Sequence, residues 1–488
     1  MFETDFVTSR DQNKQTFRTL IAEAAKLIGE AFPEQPYLGR SATSLAQSVG
    51  SDFLSRQRAS EEEISQTLRT IVMNSVSVSH PYTAAHLHCP PLLAALAAEV
   101  VISTLNQSMD SFDQAPIATV VEQKMVRWLC DKAGFLSSAN GTFTTGGSQS
   151  NFMGLLLARD AFIQRAWGWS VQKCGLPPDA RNLRILCSDV AHFTVERSAA
   201  QLGLGTDSVV RIDTDDRFRM KVSSLRSALN SFSAQGLLPM AIVATAGTTD
   251  FGSIDPLPEI ASVAREAKCW LHIDAAYGGA LLFSPQHQAK LVGLESADSL
   301  AIDFHKLLWQ PIPCSAFLLR DNANFEFIKF HADYLNPDFH EGEGIPNLVS
   351  TSLLTSRRFD ALKLWISFQS LGSEKLAAMI DRTLALAAFA AKVIRTSPHL
   401  ELMCDPHLST VVFRYLPKIP TDVDSINARL RQALFDQGLA VIGHTRVRNR
   451  QFLKFTFLNP TVDDMEVKNL IQIIVQQGQK LDMRPASA

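Results

Sequence analysis

The sequence predicts an α/β protein: a large domain whose mostly parallel sheet is flanked by helices, then a smaller C-terminal α+β domain. Short, nearly continuous apolar runs alternate with helical stretches between residues 141 and 321, as expected of strands buried on both faces. Near residue 360 the order changes to one long helix followed by strands and helices in a different succession. The chain has 488 residues, more than one hydrophobic core usually serves.

Residues 13–75 read as helices. "FRTLIAEAAKLIGEAF" and "SEEEISQTLRTIVMNSV" carry apolar residues at helical spacing, and Ser60 before three glutamates is a helix start. "HPYTAAHLHCPP" (80–91) breaks the pattern, and two more helices follow, the second ending at Gly134. The expected strands are "LRILCSD" (183–189), "VVRIDT" (209–214), "PMAIVATAGTT" (239–249), "CWLHIDAAYGG" (269–279), "SLAIDFHK" (299–306) and "SAFLLRD" (315–321). "STVVFRYLP" (409–417), "LAVIGHT" (439–445) and "QFLKFTFLNP" (451–460) supply strands for the last domain. The expected boundaries are 1–88 for the helical segment, 89–360 for the large domain and 361–488 for the small one.

Composition narrows the function. Apolar residues make up 46% and charged residues 19%, and the net charge is −3, so neither disorder nor a polyanion partner is expected. No basic stripe interleaves with aromatics, which argues against nucleic acid. The seven cysteines (Cys89, Cys130, Cys174, Cys187, Cys269, Cys314 and Cys404) form no CxxC pair, as expected of reduced thiols in a cytoplasmic protein. The N-terminus is polar and mixed in charge, unlike a signal peptide. The longest apolar stretch contains Glu99 and is too short to span a bilayer, so no membrane partner is expected. His80, His86 and His88 lack a carboxylate or cysteine companion at ligand spacing, so no metal is expected either.

Three stretches carry chemistry. "FTTGGSQSNFMGLLLAR" (143–159) opens a helix on a glycine pair, where backbone N–H groups can hold an anion. Gly147 and Ser148 are candidates for a phosphate, although Gly-Gly-Ser also serves as a plain turn and N-cap. "WLHIDAAYGG" (270–279) puts Asp274 at the C-terminal end of an apolar strand, where open parallel sheets bind ligands. A buried carboxylate needs a cationic partner; a protonated pyridine nitrogen is one, and a salt bridge or helix cap is the alternative. "SLAIDFHKLLWQPIPCSAFLL" (299–319) carries Lys306 among apolar residues. Such a lysine has its pKa pushed down and can form a Schiff base, or it can snorkel to solvent. Taken together, a phosphate-binding helix start, a strand-end aspartate and an apolar lysine some thirty residues on form a constellation for pyridoxal 5′-phosphate.

With these residues the chain resembles the group II pyridoxal-phosphate-dependent amino-acid decarboxylases. The likeness runs from about Ser79 to Leu371. Ser299 through Lys306 fits the family's lysine signature, and "DVAHFTVERSA" (189–199) matches the segment whose histidine stacks on the cofactor, here His192. "VATAGTTDFGSID" (243–255) implicates Thr245, "HADYLNP" (331–337) carries the catalytic tyrosine, Tyr334, and "SRRFDALKLW" (356–365) matches a structural motif at Arg357 and Arg358.

The resemblance implies fold type I and a homodimer with active sites at the subunit interface, the helical segment 1–88 packing on the partner. It makes Lys306 the Schiff-base residue, Asp274 the partner of the pyridine nitrogen and His192 the stacking ring. Ala276 is then expected on the opposite face, Thr245 near the ring substituents, and Gly147, Ser148, Ser299 and His305 on the phosphate. Tyr334 would deliver a proton to Cα. For the substrate, the segments around "HLHCPP" and "SFDQAP" point to His88, Cys89 and Asp113, with Asp113 facing a distal ammonium or capping a helix. The surrounding text looks closest to the diamine-forming branch: L-2,4-diaminobutyrate decarboxylases and siderophore-pathway lysine decarboxylases. The expected product is 1,3-diaminopropane, a polyamine and siderophore building block. Lysine or ornithine is the alternative substrate, ahead of aromatic residues or glutamate. A fold type I aminotransferase, or a pyridoxal-phosphate-binding protein without turnover, stays open.

Overall fold

The computed structural model describes residues 5–8, 10–49, 58–333, 335–336, 342–418 and 422–483. In chain order they form α1 (Asp11–Ala31), α2 (Ala42–Val49), α3 (Glu61–Met73), β1 (Thr83–Ala84), α4 (Leu93–Leu105), α5 (Pro116–Lys132), β2 (Asn140–Thr144), α6 (Gly147–Trp167) and α7 (Val171–Cys174). Then come β3 (Leu183–Ser188), α8 (Thr194–Gln201), β4 (Val209–Ile212), α9 (Val222–Gln235), β5 (Leu238–Thr245), α10 (Leu257–Glu266), β6 (Trp270–Asp274), β7 (Ser299–Asp303) and β8 (Ser315–Leu319). The helical stretch Ala361–Thr396, two helices that meet at a break at Gly372 (φ 71°), leads to β9 (Leu400–Leu402), β10 (Thr410–Tyr415), the helix Val423–Asp436, β11 (Val441–Val447), β12 (Arg450–Thr456) and the helix Asp464–Asp482.

Two compact units result. The larger comprises Leu87–Ala387 with Cys404–Thr410. Its seven-stranded sheet has the order β2-β8-β7-β6-β5-β3-β4. β4, β3, β5, β6 and β7 pair in parallel, while β8 pairs antiparallel with both β7 and β2. The central strands are apolar on both faces because helices cover both; every residue of β7 and of β8 is buried. The α6 helix packs on β5, β6, β7 and β8. It can seat closely on β6 because residue 154 is glycine: a Cβ there would stand 2.5 Å from His272 Nδ1.

A buried ion pair locks α5 to β2 in the same unit. Arg357 meets Glu122 through Nη2–Oε1 at 2.9 Å and Nη1–Oε2 at 3.2 Å. Glu122 also accepts from the Phe143 N–H, and Arg357 donates to the Phe143 carbonyl. Next to it, the fully buried Lys363 pairs with Asp360 at 2.8 Å and Glu99 at 3.0 Å, and Glu99 also holds Arg358. The arginine motif read from the sequence thus sits in an ion-pair network.

The second unit comprises Met1–His86, Ala388–Met403 and Val411–Ala488. Its sheet has the order β1-β11-β12-β10-β9. β11 and β12 form a hairpin whose turn residues Arg448 and Asn449 have φ of 48° and 64°, the left-handed geometry that two-residue hairpins need. The helices Val423–Asp436 and Asp464–Asp482 pack together, and the first covers β11 and β12. The α3 helix begins where the sequence places it, at a capping box between Ser60 and Glu63. Among the described residues no helix is long and apolar enough to cross a membrane.

Candidate active site

The C-terminal ends of β5, β6 and β7 carry Thr245, Asp274 and Asp303, and the first turn of α6 faces them. Between these elements lies a cavity of about 220 Å³. Its lining includes Gly147, Ser148, His192, Thr245, Asp274, Ala276, His305 and Lys306, eight of the residues singled out from sequence. Two more, Asn151 and Asp303, were not.

The floor is set by Asp274, which is buried. Its Oδ2 accepts from Asn151 Nδ2 at 2.8 Å and its Oδ1 from the Ala276 N–H at 3.1 Å. Both partners are neutral donors; among the described residues no Lys, Arg or His nitrogen comes within 4.0 Å of this carboxylate. Its charge is left to be met by a ligand. The Thr245 N–H donates to Asp255, while the Thr245 hydroxyl is buried with no partner among the described residues. The α6 helix starts at Gly146 with φ 150°. The next residue must be small: a Cβ on Gly147 would stand 3.1 Å from Asp303 Oδ2 and 3.2 Å from the Ala276 Cβ. That leaves the N–H groups of the helix start open to an anion.

The puzzle of a lysine in apolar sequence is resolved by pairing. Lys306 Nζ lies 2.8 Å from Asp303 Oδ2, with the lysine side chain 16% and the aspartate side chain 3% exposed. Ser315 on β8 donates to the same carboxylate at 2.7 Å. Burial works against the charge on Asp303, but the Lys306 ammonium and the nearby His305 outweigh it and hold the carboxyl below its usual range. Asp303 stands three residues before Lys306 in "IDFHK", the signal by which it could have been found. His305 Nδ1 donates to the Cys314 carbonyl at 2.9 Å, and burial lowers its pKa. His192 is tied through Nδ1 to Thr194 Oγ1 at 2.9 Å; burial lowers its pKa also, against the pull of Asp274.

Four expectations from sequence fall elsewhere. Ser299 is not at the phosphate position. It begins β7, and four residues of extended strand carry it roughly 13 Å from Asp303; its hydroxyl is held between Trp270 and His272. His88 and Asp113 are exposed and do not line the cavity; Asp113 accepts from the Ser111 hydroxyl at 2.6 Å, in the turn before α5, and caps no helix. Cys89 reaches the site's backbone only: its Sγ donates to the His305 carbonyl at 3.2 Å, and burial pushes the thiol up to about 12. Tyr334 lies outside the described residues.

A strand-end carboxylate without a cation, a lysine in the turn after the next strand and an open helix start at the C-terminal edge of a parallel sheet define a site for a phosphorylated pyridine cofactor. The comparisons agree, for residues 50–416 match the pyridoxal-dependent decarboxylase conserved domain. The chain belongs to the pyridoxal-dependent decarboxylase family; it is a carboxy-lyase, and pyridoxal 5′-phosphate is its cofactor. An L-2,4-diaminobutyrate decarboxylase of Acinetobacter baumannii is 40% identical over 480 residues, covering 96% of this chain and 94% of that protein. One from Rhizobium meliloti (strain 1021) is 43% identical over 420 residues, covering 86% and 82%. Among solved structures, the glutamate decarboxylase domain of diaminobutyrate-pyruvate transaminase and L-2,4-diaminobutyrate decarboxylase from Vibrio parahaemolyticus has a TM-score of 0.90 at 39% identity, over 98% of each chain. Decarboxylation therefore replaces the aminotransferase alternative.

Proposed function

We propose that the chain decarboxylates L-2,4-diaminobutyrate, releasing CO2 and leaving 1,3-diaminopropane as a proton takes the carboxylate's place on Cα. One observation carries the substrate: two relatives of that name are 40% and 43% identical over most of the chain. The bound cofactor supplies a pyridine ring that takes up the electron pair left when CO2 departs.

This chain's residues do the rest. Lys306 Nζ anchors the cofactor's carbonyl carbon. Asp274 would keep the ring nitrogen protonated, and His192 and Ala276, both lining the cavity, would hold the ring. Thr245 offers its hydroxyl to a ring substituent, and Gly147, Ser148 and His305 hold the phosphate. Tyr334 delivers the proton to Cα. The protein acts as a homodimer in the cytoplasm. The amphipathic α1 and α3, whose Leu20, Ile64 and Leu68 are 59%, 51% and 47% exposed on the single chain, support the dimer, with segment 1–88 lying on the partner. Seven free cysteines support a reducing compartment.

The deciding assay gives the holoenzyme an equimolar mixture of L-2,4-diaminobutyrate, ornithine, lysine, glutamate and Dopa and identifies the amines by mass spectrometry. Mainly 1,3-diaminopropane is expected. Mainly cadaverine or putrescine would overturn the substrate and keep the chemistry. Tyr334→Phe is expected to keep CO2 release and divert product toward carbonyl compounds; an unchanged amine yield would remove Tyr334 as the donor.

A further inference from the structure

A line of buried polar groups runs beneath the cavity, and its inner members, Ser299, His272, Asn151 and Thr194, take no part in the roles given above. Trp270 Nε1 donates to Ser299 Oγ at 2.9 Å, and Ser299 Oγ lies 2.8 Å from His272 Nδ1. His272 Nε2 lies 2.9 Å from Asn151 Oδ1. Asn151 Nδ2 reaches Asp274 Oδ2 at 2.8 Å and Thr194 Oγ1 at 2.9 Å. Thr194 in turn meets His192 Nδ1 through its hydroxyl at 2.9 Å and its N–H at 3.4 Å. Ser299, His272, Asn151 and Thr194 are all buried.

Each hydrogen has only one consistent place. The Asp274 carboxylate accepts, so Asn151 gives it one amide hydrogen and gives the other to Thr194. The Asn151 carbonyl can only accept, so His272 carries its hydrogen on Nε2. Burial holds the His272 pKa down, to about 4, so the ring is neutral and Nδ1 is bare. The Ser299 hydroxyl therefore donates to Nδ1 and accepts from the indole. At the other end, the Thr194 N–H already points at His192 Nδ1, which makes that nitrogen the acceptor, so the Thr194 hydroxyl accepts from Asn151 and donates its own hydrogen to Nδ1. A neutral His192 is left with its hydrogen on Nε2, the edge away from Thr194. That edge can donate to an anionic oxygen in the cavity; a bare Nε2 would repel one.

We propose that His272 is a positioning residue for the decarboxylation site: through Asn151 and Thr194 it sets the Nε2–H tautomer of His192 and keeps the Asp274 carboxylate aimed. The proposal rests on the cofactor reading above and is indifferent to which amino acid is consumed. Gly154 supports it independently, since a side chain there would displace the His272 ring. Ser299, placed on the phosphate by sequence, finds its role here as the donor that fixes His272.

The test labels the holoenzyme with 15N-histidine and reads the imidazole nitrogen shifts at pH 7.5. Both His272 and His192 are expected as Nε2–H tautomers; Nδ1–H at either overturns the proposal, whatever happens to any variant. Two substitutions then separate positioning from packing. His272→Gln keeps a donor where Nε2 stood; His272→Asn keeps only the contact near Nδ1. The first is expected to hold the Kd for pyridoxal phosphate within about threefold and keep His192 as Nε2–H. The second should weaken binding by about tenfold, the cost of leaving the buried Asn151 carbonyl without its donor, and leave His192 as a tautomer mixture. Equal effects of the two would overturn the relay. A wild-type protein that binds no pyridoxal phosphate would instead sink the cofactor reading.

Discussion

Lys306 and Asp303 make one unit. An ammonium held by a buried carboxylate is tolerated where a lone charge is not. Lys306→Ala is expected to abolish the visible absorbance of the bound cofactor, read in a single spectrum; a persisting band would remove Lys306 as the anchor. The buried histidines set a pH limit. The folded-state pKa of His272 lies at about 4, below the ordinary 6.5, so between those values the unfolded chain binds more protons and stability falls as pH falls. From pH 6.5 to pH 5 that amounts to roughly 2 kcal/mol for this one group. His192 and His305 are shifted the same way by burial. The urea midpoint of the wild type should therefore drop further between these pH values than that of His272→Gln; parallel drops would show that His272 is not the group responsible.

Among the elements, α5 and α6 depend on particular contacts. Truncating Arg357 leaves the fully buried Glu122 carboxylate without its counter-ion, with only weak hydrogen bonds from β2, so Arg357→Met is expected to cost about 3–5 kcal/mol in urea unfolding. Adding Glu122→Gln should recover part of it, because the stranded charge is gone; no recovery would mean the loss is one of packing. Gly154→Ala drives a methyl into His272 and should cost about 1–3 kcal/mol as overpacking. The strands β3 and β5 to β8 were legible because both-face burial writes itself as unbroken apolar runs, and the edge strand β4, with only Ile212 buried, through its β-branched residues. β2 was not, because "NGTFT" is short and opens on Asn-Gly, which reads as a turn. The same limit hid the relay: Asn151 and His272 are 121 residues apart, and only the packing of α6 on β6 brings them to 2.9 Å. Ser299 was misplaced because its strand was read correctly while the end of it facing the cavity was not.

For the whole molecule, the order of motifs along the chain carried the class, since Gly147, Asp274 and Lys306 must converge if β6 and β7 are parallel neighbours and α6 crosses them. The substrate segments were less legible. Asp113 rests on a segment resemblance and its charge, and neither says which way a turn faces. The dimer can be tested directly. Leu20→Glu with Ile64→Glu places two carboxylates on the exposed apolar face of α1 and α3, and sedimentation is expected to show monomers with little decarboxylase activity. An active, undissociated dimer would move the interface elsewhere.

The reversed strand β8 has a final effect. Because it doubles back beside β7, the eleven residues from Phe304 to Cys314 form a closed loop, pinned where the Phe304 and His305 N–H groups both reach the Cys314 carbonyl, at 2.9 and 3.2 Å. Lys306 therefore rides on a short tether fastened at both ends. With Lys306 as the proposed anchor, an amine displaced from the cofactor's carbonyl carbon would stay beside it, and its return would be a unimolecular event at high effective molarity. The closed loop would thus keep the proposed anchor at hand between turnovers.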